Sequence, residues 1–326
     1  MNQAVDEVTS DPVVSLLLLI AGLSLVLATA DKLVNQTVGV ARALRASPFL
    51  VATLALGLDP ENLAVGSVAS FENADGLALG TILGSAMVTI ALAFGVTALL
   101  APLRFERVPP EIPAVPIASA LLLSGLALDG RLSRIDGAIL LAGYGAAIAA
   151  LMRLARRGRD IRGLAAEAET SGKSEQRGTI ASLGLLAASL LAIIAGGGLI
   201  VAGATDLIRR SGLSQTVVGM TVIALAISAE ELARELPAAI RGRPEIAFGN
   251  VTGSILAFFL FNAGVIALVG PLEVGPGVSR FYLPFAAGTA ILVCVLALRG
   301  GFPRWTGALL VLLYAAFVAG GYLLTG

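Results

Sequence analysis

The feature that most constrains this chain is its run of apolar blocks, each long enough to cross a bilayer. A spanning helix needs about 20 mostly apolar residues. We read ten such blocks, at 12–30, 48–70, 77–101, 111–129, 135–155, 179–204, 214–240, 246–270, 280–298 and 303–324. Only 13% of the 326 residues are charged, about half of what a water-facing surface requires. The sequence therefore predicts an all-α polytopic membrane protein. The first block follows Asp6, Glu7 and Asp11, where a cleaved signal would carry basic residues, so it is read as a span. Net charge is zero, which gives no reason to expect a nucleic-acid partner. The lone Cys294 cannot form an intrachain disulfide. Histidine is absent, removing the commonest transition-metal ligand and the usual general base.

Basic residues set the expected orientation. With the N-terminus outside, sixteen of the 22 lysines and arginines fall in inner loops and five in outer loops. Both termini then lie outside, in what is expected to be a prokaryotic cell membrane. The long polar stretch from Arg156 becomes a cytoplasmic loop, 156–178, between a first unit, 1–155, and a second, 179–326.

The chain also repeats itself. Residues 57–103 align without a gap on 226–272, and fourteen of the 47 positions are identical. The informative matches are Glu61/Glu230, Gly80/Gly249, Gly84/Gly253, Ser85/Ser254 and Pro102/Pro271, all in one register. The copies begin on the second and seventh spans. Five crossings separate them, so they are expected in opposite orientations, as two inverted five-helix repeats. Many secondary transporters are built this way, with the site near the midplane on discontinuous helices.

Polar residues sit where such a site would be. The second span carries Asp59, Pro60, Glu61 and Asn62 near its middle; the seventh carries Ser228, Glu230, Glu231, Arg234 and Glu235. A charge at the bilayer centre costs at least a few kcal/mol, so several together point to an ion path. Pro60 should open its helix and bare carbonyl oxygens beside Glu61. Carboxylates, hydroxyls and freed carbonyls are the ligands of a hard cation such as Ca²⁺. A structural alternative pairs Arg234 with Glu230 or Glu231 on one helix and leaves Glu235 near the inner water boundary. Ser85 and Ser254 fit either a ligand role or plain helix packing. Thr89, Asn250 and Asn262 read first as polar contacts between helices.

At these residues the chain resembles the Ca²⁺/cation antiporter superfamily, the sodium/calcium exchangers and their relatives. The family pattern is a Gly-Thr-Ser-x-Pro-Glu-Leu helix followed by a Gly-Asn-x-x-Gly-Ser-Asn-x-x-Asn helix, in two copies. Here the first copy reads Gly57-Leu58-Asp59-Pro60-Glu61-Asn62-Leu63, then Gly80 to Thr89. The second reads Ala226-Ile227-Ser228-Ala229-Glu230-Glu231-Leu232, then Gly249 to Phe258. The resemblance implies a ten-span, N-out exchanger in which Glu231 is a ligand. Counted back from the second helix, its partner is Asn62; taking Pro60-Glu61 as the Pro-Glu pair makes the partner Glu61. Asp59, Glu230 and Ser228 would support them, and Ser85, Thr89 and Ser254 would complete the cage. Leu58, Ile227 and Phe258 replace oxygen-bearing family residues.

The leading expectation is a secondary antiporter exchanging Ca²⁺ or another cation for Na⁺ or H⁺. The ions would be substrates, no cofactor is implied, and the partners are small cations and the lipid bilayer. Crowded acids could trade a proton for the metal, which is the case for H⁺. A membrane scaffold or sensor that kept the fold without transport is the alternative from another class. Enzymatic activity is not expected: there is no histidine, and no lysine lies within a span.

Overall fold

The structure, a computed structural model, describes residues 13–25, 59–157, 195–204, 214–228, 231–240 and 242–324, with isolated positions 28, 53, 162, 163, 191 and 192. The described chain is mostly helical. A backbone in lipid must satisfy its own hydrogen bonds, and the helix does so within one segment. In chain order the helices are α1 (Val13–Leu25), α2 (Pro60–Phe71), α3 (Asp75–Leu100), α4 (Glu111–Asp129), α5 (Arg134–Arg156), α6 (Ala195–Ala204), α7 (215–227), α8 (Glu231–Ile240), α9 (Pro244–Val269), α10 (Val278–Ala297) and α11 (Arg304–Leu323). Six of them, α3, α4, α5, α9, α10 and α11, are long and apolar enough to cross a membrane. Their ends fall within two residues of the blocks read from the sequence. The protein is an integral, multi-pass membrane protein.

The second and seventh blocks are not continuous helices. α2 begins only at Pro60, and the seventh block is split into α7 and α8 around Ser228. The first and sixth blocks are described only over α1 and α6. Most of the 156–178 loop lies outside the described residues.

Burial separates the helices into two classes. The most apolar stretches of α3 and α9 are each 83% buried, against 17% for α5. α3 and α9 are therefore the inner helices, and the apolar faces of α5 and α11 are left for lipid. Glycine lets these layers touch. A Cβ on Gly307 of α11 would lie 2.6 Å from the Gly95 carbonyl of α3, and one on Gly137 of α5 would lie 2.7 Å from the Gly264 carbonyl of α9. The two contacts correspond under the sequence repeat: α3 packs on α11 as α9 packs on α5.

Short strands, absent from the helical reading, tie the helix ends together. β1 (Leu103–Arg107) pairs with β5 (Gly301–Phe302), and β2 (Arg131–Leu132) pairs with β4 (Leu272–Glu273). β3 (Arg162–Gly163) extends the first pair. Correspondence again holds, since Leu103 meets Phe302 and Leu272 meets Leu132. The amide of Phe105 donates to Gly300 and that of Val274 to Gly130, both glycines having φ of 85°. The 19 residues of α4 separate the two pairs, about 28 Å of helix.

These two ends are filled differently. Beside β1 and β5, the rings of Phe94, Phe105, Phe248 and Phe302 pack together, with Phe94 and Phe302 edge-to-face at 4.8 Å. Beside β2 and β4, the matching positions hold Leu79, Leu132 and Val274, and these line an apolar cavity with Ile82, Leu83 and Val278.

Candidate cation site

The site is built on helix starts inside the molecule. Proline suits the first position of a helix, where its missing N–H has no partner to lose. Pro60 takes that position in α2, and Asp59 before it is non-helical, at φ −115° and ψ 88°. The expected break thus lies immediately before the proline. α8 restarts at Glu231 without a proline, after Ser228 at φ −93° and ψ 12°. The first turn of a helix presents free N–H groups and the positive end of its dipole, which favours carboxylates. Glu61 stands in the first turn of α2 and Glu231 in that of α8; both are fully buried.

Glycines bring residues that precede these starts close against the inner helices. On α3, a Cβ at Gly80 would sit 2.3 Å from the carbonyl carbon of Gly219 on α7, and one at Gly84 2.6 Å from the Met220 carbonyl. A Cβ on Gly253 of α9 would likewise lie 2.2 Å from the Thr53 carbonyl oxygen. π-helical turns run over 88–93 in α3 and over the corresponding 257–262 in α9. Such turns often mark functional sites, because they shift the helix face by one residue.

The two copies then diverge in chemistry. In the first, the Ser85 hydroxyl donates to the Asn62 side-chain oxygen, and the Thr89 hydroxyl donates back to the Ser85 carbonyl at 3.0 Å. In the second, Asn250 donates from its one amide nitrogen to two acids, Glu231 at 2.7 Å and Glu235 at 3.1 Å. Glu235 is as fully buried as Glu231. Ser228 and Ser254 are buried, and neither hydroxyl has a hydrogen-bond partner among the described residues. Asn62 Nδ2 and Asn250 Oδ1 share that condition. Phe258, matching Thr89, is fully buried and offers no oxygen.

Most of the candidates read from the sequence are therefore interior. Asp59, Glu61, Asn62, Ser85, Thr89, Ser228, Glu231 and Ser254 are all buried. The structure joins Asn62 with Ser85, and Glu231 with Asn250. Glu230 and the side chain of Arg234 lie outside the described residues. Asn250 is the polar contact between helices that the sequence suggests, and it reaches two acids; Glu235, which the structural alternative leaves near the water boundary, is fully buried instead. The sequence does carry a signal for them, because Glu231 and Glu235 are four apart and so share a helix face. Among the described residues no three acids, cysteines or histidines gather into a metal cluster. Oxygens come here from acids, amides and hydroxyls mixed, the donor set of a hard cation.

Comparison with known proteins agrees with this arrangement. The family described as sodium/calcium exchanger protein matches residues 14–153 and 181–322. The chain is 27% identical over 317 residues to the putative antiporter CaxA of Alkalimonas amylolytica, covering 95% of this chain and 98% of that one. It is 31% identical over 281 residues to the inner membrane protein YrbG of Escherichia coli, covering 81% and 83%. The sodium/calcium exchanger MaX1 of Methanosarcina acetivorans is 25% identical over 341 residues, covering 94% and 97%. Among solved structures, the sodium-calcium exchanger NCX_Mj shares the fold, with a TM-score of 0.65 at 23% identity over 95% of this chain and 99% of that one. Interrupted helices with buried acids, and a family match over both halves, make this chain a member of the sodium/calcium exchanger family.

Proposed function

We propose that the protein is a secondary cation antiporter, exchanging Ca²⁺ or another cation for Na⁺ or H⁺ by alternating access. One observation carries this reading: α2 and α8 start inside the molecule with buried acids in their first turns. Glu231 and Glu61 are the central ligands. Asp59, Asn62, Glu230 and Ser228 support them, and Ser85, Thr89 and Ser254 close the cage from α3 and α9. Opposing ions compete for the same carboxylates, and that competition couples the two fluxes. The reciprocal packing of α3 on α11 and α9 on α5 supports two inverted five-helix units, 1–155 and 179–326, joined by a cytoplasmic loop, 156–178. The distribution of basic residues supports ten spans with both termini outside a prokaryotic membrane.

The experiment is uptake of radiolabelled Ca²⁺ into proteoliposomes, with outward Na⁺ and proton gradients imposed separately. Uptake is expected under at least one gradient, and the effective gradient names the counter-ion. Silence under both overturns Ca²⁺ antiport. A second reading, a non-transporting sensor or scaffold, draws on Phe258, which removes an oxygen from the second copy. It requires that no cation raise the melting temperature of the protein, since a bound ligand stabilises the state that binds it.

A further inference from the structure

We propose that Glu235 is a cation ligand alongside Glu231, giving the site a carboxylate pair within the second copy alone. The proposal rests on the antiporter reading above and adds to it a residue that lies beyond the motif ending at Leu232.

Three observations lead there. The first is the shared amide. Glu231 and Glu235 stand one turn apart on α8, both fully buried, and the Asn250 side-chain nitrogen reaches both, at 2.7 and 3.1 Å. Two carboxylates within reach of one amide nitrogen lie close together, the arrangement from which a hard cation draws several oxygens at once.

The second is the oxygen left over beside the pair. Asn250 Oδ1, on the amide that joins the two acids, is buried and has no partner among the described residues. The hydroxyl of Ser254, one turn along the same face of α9, is in the same state. Its counterpart Ser85 donates to Asn62, and Asn62 is the counterpart of Glu231. The repeat therefore gives Ser254 the position opposite Glu231 that Ser85 holds opposite Asn62. A hard cation takes about 6–8 oxygens, and an amide and a hydroxyl oxygen beside two acids supply part of that shell.

The third is that the fold does not need the acid. Gly66 matches Glu235 and Thr81 matches Asn250. In the first copy a Cβ on Gly66 would lie 2.4 Å from the Thr81 hydroxyl oxygen, so these two positions abut there as they do in the second copy. Glycine against threonine closes that contact in the first copy. Glutamate against asparagine in the second adds a buried charge that packing alone does not require, and buried ionisable groups in membrane helices mark function.

The test is calorimetric titration of the purified full-length protein with CaCl₂, for the wild type, Glu231→Gln and Glu235→Gln. Glutamine keeps the oxygen that accepts from Asn250 and removes only the charge. Both variants are expected to bind Ca²⁺ about ten-fold or more weakly, the scale seen for losses around a metal. Wild-type affinity in Glu235→Gln, with binding lost in Glu231→Gln, would reduce Glu235 to a brace and overturn the proposal. No Ca²⁺ heat in the wild type would instead sink the antiporter reading, and this inference with it. A second measurement needs no variant: carbodiimide modification of the wild-type carboxylates, read by mass spectrometry with and without CaCl₂. Ca²⁺ is expected to protect Glu235 together with Glu231; protection of Glu231 alone contradicts the proposal.

Discussion

The helix pairs α2–α3 and α8–α9 share a backbone plan and differ in what that backbone presents. Both turn through a positive-φ residue, Asn73 at 59° and Gly242 at 72°. Both run into a π-helical stretch at matching positions, and both end in a strand pair of matching register. Yet the first copy joins Asn62 to Ser85 and sets Gly66 against Thr81, where the second joins Glu231 and Glu235 through Asn250. A repeated fold requires only that its turns, close contacts and apolar faces be duplicated. The polar positions between them are free to diverge, and here the second copy has taken more of the charge.

The difference should be sharpest at Glu231 and its counterpart. Glu231→Gln is expected to lower Ca²⁺ exchange about 100-fold, against about ten-fold for Asn62→Ala, measured as initial uptake into proteoliposomes. Equal losses would erase the distinction between the copies. Next comes the bridging amide. Asn250→Leu removes two hydrogen bonds to acids, each worth about 1.5–3 kcal/mol, so a loss of about 3 kcal/mol or more is expected in reversible unfolding.

The shared scaffold should respond symmetrically. The counterparts Gly84→Ala and Gly253→Ala place a methyl group 2.6 and 2.2 Å from a neighbouring backbone carbonyl, and each is expected to cost about 2–3 kcal/mol. A large difference between those two would break the backbone half of the comparison. Ser85→Ala, which removes the hydroxyl bonded to Asn62, is expected to cost about 1 kcal/mol. Smallest should be Leu79→Phe, placing a ring where Phe248 stands in the other copy. It extends a side chain toward an apolar cavity, and a stability change within about 1 kcal/mol is expected, by thermal melting.

Much of this architecture is legible in the residues themselves. Span borders follow from apolar length, and α3, α4, α5, α9, α10 and α11 lie close to where hydropathy puts them. The start of α2 is visible in Pro60. The break between α7 and α8 has no such residue; only the crowding of Ser228, Glu230 and Glu231 hints at it. Strands such as Arg131–Leu132 are too short to show an alternating pattern. The ring cluster is hidden because Phe94, Phe105, Phe248 and Phe302 are scattered along the chain and converge only when the copies pack. Glu235 is misleading for a physical reason. Position along a span suggests nearness to water, whereas depth in a bundle depends on what packs alongside, and α9 covers it.

The central claim is that cations are exchanged at the start of α8. Its most direct test is initial Ca²⁺ uptake by wild type and Glu231→Gln in parallel, reconstituted at equal density and driven first by Na⁺ and then by a proton gradient. The account expects wild-type uptake under at least one gradient and near-background uptake in the variant under both. Unchanged exchange in Glu231→Gln would contradict it.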